Sequence, residues 1–353
     1  MVDHPEPRPT GCSLAAQGYP PCSVPIRIGD QRRLPCDLGL RYRDGKWHRL
    51  IKAMHLSRPE DYLSVYQSCC NHNCQMCHSW HFSRRPAGEW LSPEEILGHI
   101  LNYRDQVTVW EPRGRATMWH AEDLCVHCGN CALMGRRGPL CPRRLSSQQV
   151  VLSPQGFGPA RNIVSFTGGD LYCRTEFYVR MFELIKEHCS RMWVKIETNG
   201  YGLTPKGLEE LAAAGLDSVW LDLKAHDPHV YKRLCGTTNE WVLRLPERIL
   251  EHDVVLEIVL IYIPAWVELS EVRSFGHLIA DVDPGIPVTL LAFFPEYRLS
   301  GVRAPTVDEM LDAHRALLEE GLTRVRLGNY HIFCRDKEEY VAVVRAVEGS
   351  IRC

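Results

Sequence analysis

The 353-residue sequence contains no long apolar run. Its longest apolar stretch, residues 254–264, is interrupted by Glu257 and is too short to span a bilayer. Residues 1–10 are rich in proline and charge and contain no apolar segment, so they do not predict a secretory signal. The net charge of −2 gives no argument for a nucleic-acid or membrane partner. We therefore expect a cytoplasmic protein that binds neither.

Cysteine, in contrast, is abundant, with 16 residues. Without a secretory signal, so many cysteines indicate a reducing compartment and metal ligation rather than disulfides. Two compact groups stand out. The first cysteine group, spaced C-x3-C-x2-C, consists of Cys70, Cys74 and Cys77. The second cysteine group consists of Cys125, Cys128, Cys131 and Cys141.

The first cysteine group suits an iron–sulfur cluster. Three thiolates at this spacing can hold three irons of a cubane [4Fe–4S] cluster, which is normally held by four thiolates. One iron then keeps an open coordination position, as a catalytic metal site requires. A zinc knuckle is the alternative, but zinc loops usually have a second ligand pair nearby, and the next pair here is about fifty residues away. Cys69 would break the spacing, so we leave it out of the ligand set.

The second cysteine group follows the ferredoxin pattern for binding a cubane, C-x2-C-G-x-C and then Cys-Pro. The last gap is longer than in ferredoxins, so Cys141 or a cysteine from elsewhere supplies the fourth ligand. A structural zinc ribbon and unmetallated thiols are the alternatives. We predict that His127 points outward. The basic stretch around the group, residues 109–150, is either a solvated face or a docking site for an acidic electron donor such as flavodoxin or ferredoxin.

The rest of the chain alternates between strand and helix patterns. A capping box at Ser92, followed by Pro93, predicts a helix that runs to about Arg104. Strands separated by helices predict a parallel sheet. The predicted strands are residues 62–67, 162–167, 192–197, 217–224, 254–261 and 287–294, with a further candidate at 323–327.

We therefore expect an α/β protein with a partial (β/α)6 TIM-like barrel over residues 61–335. A ferredoxin-like Fe–S insertion would interrupt it at 109–150. An N-terminal cap would precede the barrel over residues 1–60, and a C-terminal helix or tail would follow over 336–353.

Polar clusters follow successive predicted strands. They are the first cysteine group, Gly168-Gly169-Asp170, residues 197–200 (Glu-Thr-Asn-Gly) and Asp222-Leu223-Lys224. Each alone would be an ordinary turn, helix entry or surface pair. In a parallel barrel, however, these strand ends share one face, where ligands bind. Together the clusters predict one site.

These motifs resemble the radical S-adenosylmethionine (SAM) superfamily, in particular its pyruvate formate-lyase activating enzyme-like branch. The resemblance covers about residues 62–330 and includes residues 293–298 and 326–331. It implies a catalytic [4Fe–4S] cluster on the first cysteine group, with SAM bound to the open iron. Reductive cleavage of SAM would release a 5′-deoxyadenosyl radical that abstracts hydrogen from a substrate C–H bond. A second, auxiliary [4Fe–4S] cluster would occupy the insertion.

The resemblance also implies roles for individual residues. Gly168, Gly169 and Asp170 would hold the SAM amino group. The SAM or cation site would be lined by Thr198, Asn199, Asp222 and Lys224. The chain departs from the branch in three places: Asp170 replaces the usual Glu, Leu171 replaces the following Pro, and Phe294 stands where a SAM-contacting His is common.

The Gly-Ile-Arg segment of glycyl-radical activases is also absent. Its absence favours a small polar metabolite as substrate, such as a sugar, nucleoside or acid undergoing elimination, decarboxylation or oxidation. Activation of a glycyl-radical enzyme is the alternative substrate assignment. A non-catalytic Fe–S electron-transfer protein is the alternative of a different class.

The remaining cysteines have no compact spacing. Cys12, Cys22 and Cys36 are too far apart in sequence to form a metal loop, so we interpret them as packed thiols rather than a third cluster. Cys173 and Cys235 lie on loops near the predicted site. Each is a packed thiol or a hydrogen-atom donor, and packing is the favoured interpretation.

Overall fold

The computed structural model describes residues 12–22 and 24–351. The predicted cap and C-terminal tail therefore fall partly outside the described residues. None of the helices in these ranges is both long enough and apolar enough to cross a membrane.

The strands are β1 (Ile26–Ile28), β2 (Gln31–Arg33), β3 (Leu40–Arg43), β4 (Lys46–Leu56), β5 (Leu63–Gln67), β6 (Glu89–Leu91), β7 (Val151–Ser153), β8 (Gly156–Gly158), β9 (Ile163–Gly168), β10 (Trp193–Thr198), β11 (Ser218–Leu223), β12 (Val255–Tyr262), β13 (Val288–Ala292) and β14 (Val325–Gly328). The α-helices are α1 (Ser13–Ala16), α2 (Pro35–Gly39), α3 (Trp80–Ser83), α4 (Pro93–Arg104), α5 (Asn130–Met134), α6 (Thr175–His188), α7 (Pro205–Ala213), α8 (Pro228–Cys235), α9 (Leu245–Glu251), α10 (Leu269–Val282), α11 (Val307–Glu319), α12 (Tyr330–Phe333) and α13 (Lys337–Ile351). Single 3-10 turns occur at Arg113–Arg115, Ser147–Gln149, Val242–Arg244 and Tyr297–Leu299.

One large sheet organises the molecule. Its order is β14-β13-β12-β11-β10-β9-β5-β4-β3, with β6 paired to β4. From β5 to β14 every neighbouring pair is parallel, while β3, β4 and β6 add an antiparallel extension. Within the described residues β5 and β14 do not pair with each other, so the parallel part is an open barrel. The predicted α/β class and partial TIM-like barrel are confirmed, and the candidate strand at 323–327 is its last member.

The strands place apolar and polar side chains on opposite faces because successive residues alternate across a sheet. On β9, Val164 and Phe166 belong to the main apolar core. The intervening Ser165 and Thr167 face the barrel interior, where both hydroxyls donate to Glu197 of β10 at 2.9 and 2.6 Å. The part of the barrel interior between β9 and β10 is therefore polar.

Helix starts follow the sequence signals. Ser92 caps α4 in a reciprocal capping box with Glu95, as predicted, and the helix ends at Arg104. Thr306 caps α11 in the same way. These caps fix where each helix crosses back to the next strand.

Candidate active site

The carboxyl ends of the parallel strands surround a cavity of about 470 Å³. The predicted site residues that line it are Cys70, Cys74, Cys77, Gly168, Asp170, Thr198, Asn199, Asp222 and Lys224. Gly169 stands between Gly168 and Asp170 in the same loop but is not among the lining residues. The structure thus brings the four separate motifs together at one face of the sheet, as expected of a parallel barrel.

The Gly-Gly-Asp loop packs against the first cysteine group through backbone atoms. A Cβ on Gly169 would lie 2.1 Å from the carbonyl oxygen of Cys69, so only glycine fits. Gly168 adopts φ +88°, which also favours glycine. The N–H of Asn71 donates to the carbonyl of Asp170 at 3.0 Å. The two loops therefore keep a fixed separation.

Asp170 is buried and joins three segments through its carboxylate. Oδ2 accepts from the Thr198 hydroxyl at 2.6 Å and from the backbone N–H of Asn199 at 3.0 Å. Oδ1 accepts from the Asn71 amide at 3.3 Å. Burial raises the pKa of Asp170, and the hydrogen bonds from Thr198 and Asn199 oppose that rise. The shorter Asp in place of the usual Glu thus reaches the neighbouring loops directly.

Arg49 is fully buried and was not recognised from the sequence. Its guanidinium donates to the carbonyl oxygens of Gly39 and Gly169, both at 2.9 Å, and also to that of Ser68. The Arg49 guanidinium therefore ties together three backbone segments: the end of α2, the start of the cysteine loop and the Gly-Gly-Asp loop. The only sequence signal for this role is an arginine within the strand-like pattern of residues 47–51.

The cysteine loop is also held by the carboxyl end of α8. The N–H groups of Asn73 and Gln75 donate to the carbonyls of Cys235 and Leu234 at 2.9 and 2.8 Å, satisfying acceptors that a helix end leaves free. His72 is buried, and its Nε2 lies 2.8 Å from the Tyr231 hydroxyl. Burial lowers the pKa of His72 to about 3, so the ring is a neutral packing group.

The thiols of the first cysteine group are held in the thiol form until a metal binds. Burial raises the pKa of Cys77 to about 11 and raises that of Cys70 further. The pKa of Cys74 is raised by its hydrogen bond with Cys235 and by burial. Because a coordinating metal deprotonates a thiol outright, these pKa values do not oppose ligation.

The donor set fits a cubane better than a single ion. Within the described ranges, no three His, Cys, Asp or Glu side chains lie close enough to bind one metal ion. A cubane does not require that closeness, because each thiolate binds a different iron. Three thiols that line one cavity therefore fit the expected [4Fe–4S] cluster.

Charged groups line the same cavity. Asp222 and Lys224 form an ion pair. Burial disfavours the charge on Lys224, but Asp222 and Cys74 outweigh burial and raise its pKa. Cys235 contacts Cys74 but is fully buried outside the cavity lining, which agrees with its interpretation as a packed thiol.

The second cysteine group lies away from this cavity. Cys125 and Cys141 line a separate cavity of about 640 Å³, and Cys128 is exposed. Arg137 donates to Cys141 Sγ at 3.3 Å. His127 is wrongly predicted to point outward, because its Nε2 lies 2.9 Å from the buried Asp61 carboxylate. Asp61 precedes β5, so this pair fastens the insertion to the barrel.

A third cavity, of about 830 Å³, adjoins the first. Trp220, Leu291 and Asn329 line both cavities. Glu60 lines the third, and burial together with Glu197 raises its pKa to about 7. His331 and Lys337 also line this cavity, which therefore contains acidic, basic and neutral polar side chains.

Comparison with known proteins gives a family match over part of the chain. The sequence pattern of the Radical SAM superfamily matches residues 124–275. Over 208 residues the chain is 23% identical to the uncharacterized protein MJ0808 of Methanocaldococcus jannaschii, a match that covers 58% of this chain and 60% of that protein. The chain thus spans less than two thirds of that relative's length.

One solved structure with a TM-score just above 0.5 supports the fold. SuiB of Streptococcus suis, in a crystal structure with its precursor peptide SuiA, superposes with a TM-score of 0.51 at 12% identity, covering 81% of this chain and 51% of that one. A domain of pyruvate-formate lyase-activating enzyme from Bacteroides vulgatus gives a TM-score of 0.40 at 19% identity, covering 47% of this chain and 98% of the domain.

The family match begins at the second cysteine group and leaves out the first. In the fold, however, the other predicted site residues lie with the first cysteine group. The first group, not the second, shares a cavity with Asp170, Asn199 and Lys224.

Proposed function

We propose that this chain is a radical SAM enzyme that cleaves SAM reductively at the first cysteine group and uses the resulting radical to abstract hydrogen from a substrate C–H bond. The observation that carries this proposal is the shared cavity: three thiols, the Gly-Gly-Asp loop and the Asp222–Lys224 pair line one space. A [4Fe–4S] cluster bound there supplies the electron that breaks the sulfonium bond of SAM.

The protein's own residues would bind and orient the reactants. Cys70, Cys74 and Cys77 would ligate three irons. Gly168 and Gly169 would let the backbone approach SAM, with Asp170 beside its amino group. The Asp170 carboxylate already accepts four protein hydrogen bonds, so it would act on SAM with its orientation fixed. The rest of the cavity would be lined by Thr198, Asn199, Asp222 and Lys224.

We propose a small polar metabolite as substrate. The third cavity supports this assignment because it adjoins the site and carries Glu60, His331 and Lys337 on its walls. Such a space suits a molecule with hydrogen-bonding or charged groups. Activation of a glycyl-radical enzyme is the alternative, and a radical signal on a co-purified protein would favour it.

We further propose that the second cysteine group holds an auxiliary [4Fe–4S] cluster that receives electrons from an acidic donor of the flavodoxin or ferredoxin type. Around the group, α5 exposes Leu133 and Met134, which are 69% and 61% accessible, next to the exposed Arg136. An apolar centre with a basic rim suits a transient acidic partner. A reducing, cytoplasmic compartment fits cysteines that form no disulfide among the described residues.

Anaerobic assay of SAM cleavage tests the assignment of the site. The reconstituted protein is reduced with dithionite, SAM is added, and 5′-deoxyadenosine is quantified by mass spectrometry. We expect Cys74→Ser to abolish the product, because it removes a ligand of the cluster that binds SAM. We expect Cys128→Ser, the matched change in the second group, to retain it under dithionite.

The reverse pattern would overturn our assignment in favour of the second cysteine group. Iron-loaded protein that yields no 5′-deoxyadenosine with any of several reductants would support a non-catalytic electron-transfer protein instead.

A further inference from the structure

Four cysteines that are widely separated in sequence meet in space. We name them the third cysteine group: Cys12, Cys22, Cys36 and Cys173. The four thiols lie close enough for a coulombic interaction between every pair of them. None of the four forms a disulfide. Three come from the segment before β3 and the fourth follows the Gly-Gly-Asp loop by three residues.

Contacts between the surrounding segments explain this convergence. The Tyr201 hydroxyl donates to the carbonyls of Pro20 and Pro21, directly before Cys22, at 3.1 and 3.4 Å. A Cβ on Gly202, the next residue, would lie 2.8 Å from the backbone nitrogen of Cys173. Residues 20–22 and the loop of Cys173 therefore both lie against the turn at residues 201–202.

The other two cysteines approach from α1 and α2. Cys36 lies on α2, and a Cβ on Gly39 at the end of that helix would lie 2.8 Å from the Leu171 side chain. Cys12 caps α1, and Gln17 just beyond that helix accepts from the Thr204 hydroxyl at 2.7 Å. Both short helices are thus fastened beside the loop that carries Cys173.

The surroundings are those of a built site rather than of scattered thiols. Cys22 is buried, and the other three pack as partly buried residues against the main apolar core. Two cations lie near: Arg84 acts on Cys22 and Arg174 acts on Cys36. Positive charge suits four thiolates around a cluster, which together carry net negative charge.

We propose that the third cysteine group binds a further [4Fe–4S] cluster, which fastens the N-terminal segment onto the loop of Asp170. Four thiols are the usual number of ligands for such a cluster. As in the first cysteine group, no three of these side chains in the described residues are close enough to bind one metal ion, and a cubane does not require that closeness because each thiolate binds a different iron. The sequence interpretation of three packed thiols is revised accordingly.

Iron and sulfide content test this proposal independently of SAM cleavage. The full-length protein and a Cys22→Ser/Cys36→Ser variant are reconstituted anaerobically, and iron, sulfide and zinc are counted per chain. We expect the variant to hold about four fewer irons and four fewer sulfides than the parent, the content of one cubane. A Cys334→Ser control, which changes a cysteine outside all three groups, should keep the parent content.

Equal iron in the parent and the double variant would overturn the proposal, as would zinc bound in place of iron.

If the variant fails to fold, alkylation of the parent protein, followed by mass spectrometry, tests the proposal instead. We expect Cys22 and Cys173 to be protected when iron is loaded and to be labelled faster after chelation, while Cys334 is labelled equally in both states. Unchanged labelling of Cys22 and Cys173 would contradict the cluster. Loss of SAM cleavage in Cys74→Ser would leave this result unaffected.

Discussion

The first and second cysteine groups offer the same ligand but are held in different ways. The first is half-buried, and its loop is held through backbone atoms by α8, the Gly-Gly-Asp loop and the Arg49 side chain. The second includes the exposed Cys128, and its surroundings are fastened by side-chain contacts such as the His127–Asp61 hydrogen bond and the Arg326–Asp123 ion pair. Backbone bonds fix distances between loops, whereas partly exposed ion pairs are screened by solvent and salt.

This difference matches the two tasks we propose. A cluster that activates SAM must hold its open iron at a defined place beside Asp170, so a rigid surround is useful. A cluster that receives electrons needs access for a partner, and Cys128 is exposed. The variants below test this comparison.

The largest effect is expected at Arg49. Arg49→Leu leaves the carbonyls of Gly39, Ser68 and Gly169 buried without their donor. Hydrogen bonds to a charged group each contribute about 1.5–3 kcal/mol, so we expect a loss of at least about 3 kcal/mol in the free energy of unfolding. SAM cleavage should fall below detection. Urea denaturation and the 5′-deoxyadenosine assay measure the two effects.

Arg137→Leu is the matched change at the second cysteine group. It removes donors to Cys141 Sγ and to the Leu145 carbonyl, but Arg137 itself is exposed. We expect a cost of about 1 kcal/mol or less and retained SAM cleavage under dithionite. Equal losses in the two variants would contradict the contrast between a rigid and an accessible site.

The sequence predicts much of this architecture because its signals are local. Strand periodicity gives the parallel sheet, and the capping box at Ser92 gives the start of α4. Motifs at strand ends predict the shared cavity because topology brings all such ends to one face.

Long-range contacts leave no such signal. Arg49 reads as one polar residue in a strand, yet its partners are 10 to 129 residues away. Cys12, Cys22 and Cys36 look isolated until folding brings them to Cys173. His127 is predicted to face solvent because nothing in its neighbourhood identifies Asp61, 66 residues earlier, as its partner.

A smaller, pH-dependent effect is expected in the insertion at His120. Burial, Arg115 and Arg324 lower the pKa of His120 to about 3, from an ordinary value near 6.5. The unfolded state therefore binds this proton more readily, so the stability contributed by neutral His120 is complete above about pH 6.5 and is lost as the pH falls towards 3. The slope is at most about 1.4 kcal/mol per pH unit.

Hydrogen exchange, corrected for its intrinsic pH dependence, can locate this loss. Between pH 7.5 and 5.5 we expect faster exchange in residues 109–124, because local opening of the insertion exposes His120. Residues 62–77 should change less, since His72 lies deeper and is reached only by wider opening. His120→Gln keeps a polar side chain beside Thr117 but cannot titrate, and it should flatten the pH response of 109–124. An unchanged response in that variant would rule out His120 as its source.

The smallest effect concerns access to the second group. Arg136→Glu/Arg144→Glu reverses exposed charge beside the exposed Leu133 and Met134, whereas Arg137 is unsuitable for this test because it contacts Cys141. Reduction by an acidic flavodoxin, followed optically under anaerobic conditions, should slow by roughly 10-fold at low salt, since opposite charges accelerate encounter. The difference should shrink as salt is raised, because the screening length falls to about 10 Å at 0.1 M.

The control variant Lys52→Glu/Arg244→Glu makes the same change in net charge at exposed positions elsewhere. If both double variants slow equally, net charge rather than the insertion governs the encounter, and the second cysteine group loses its proposed role as the point where electrons enter.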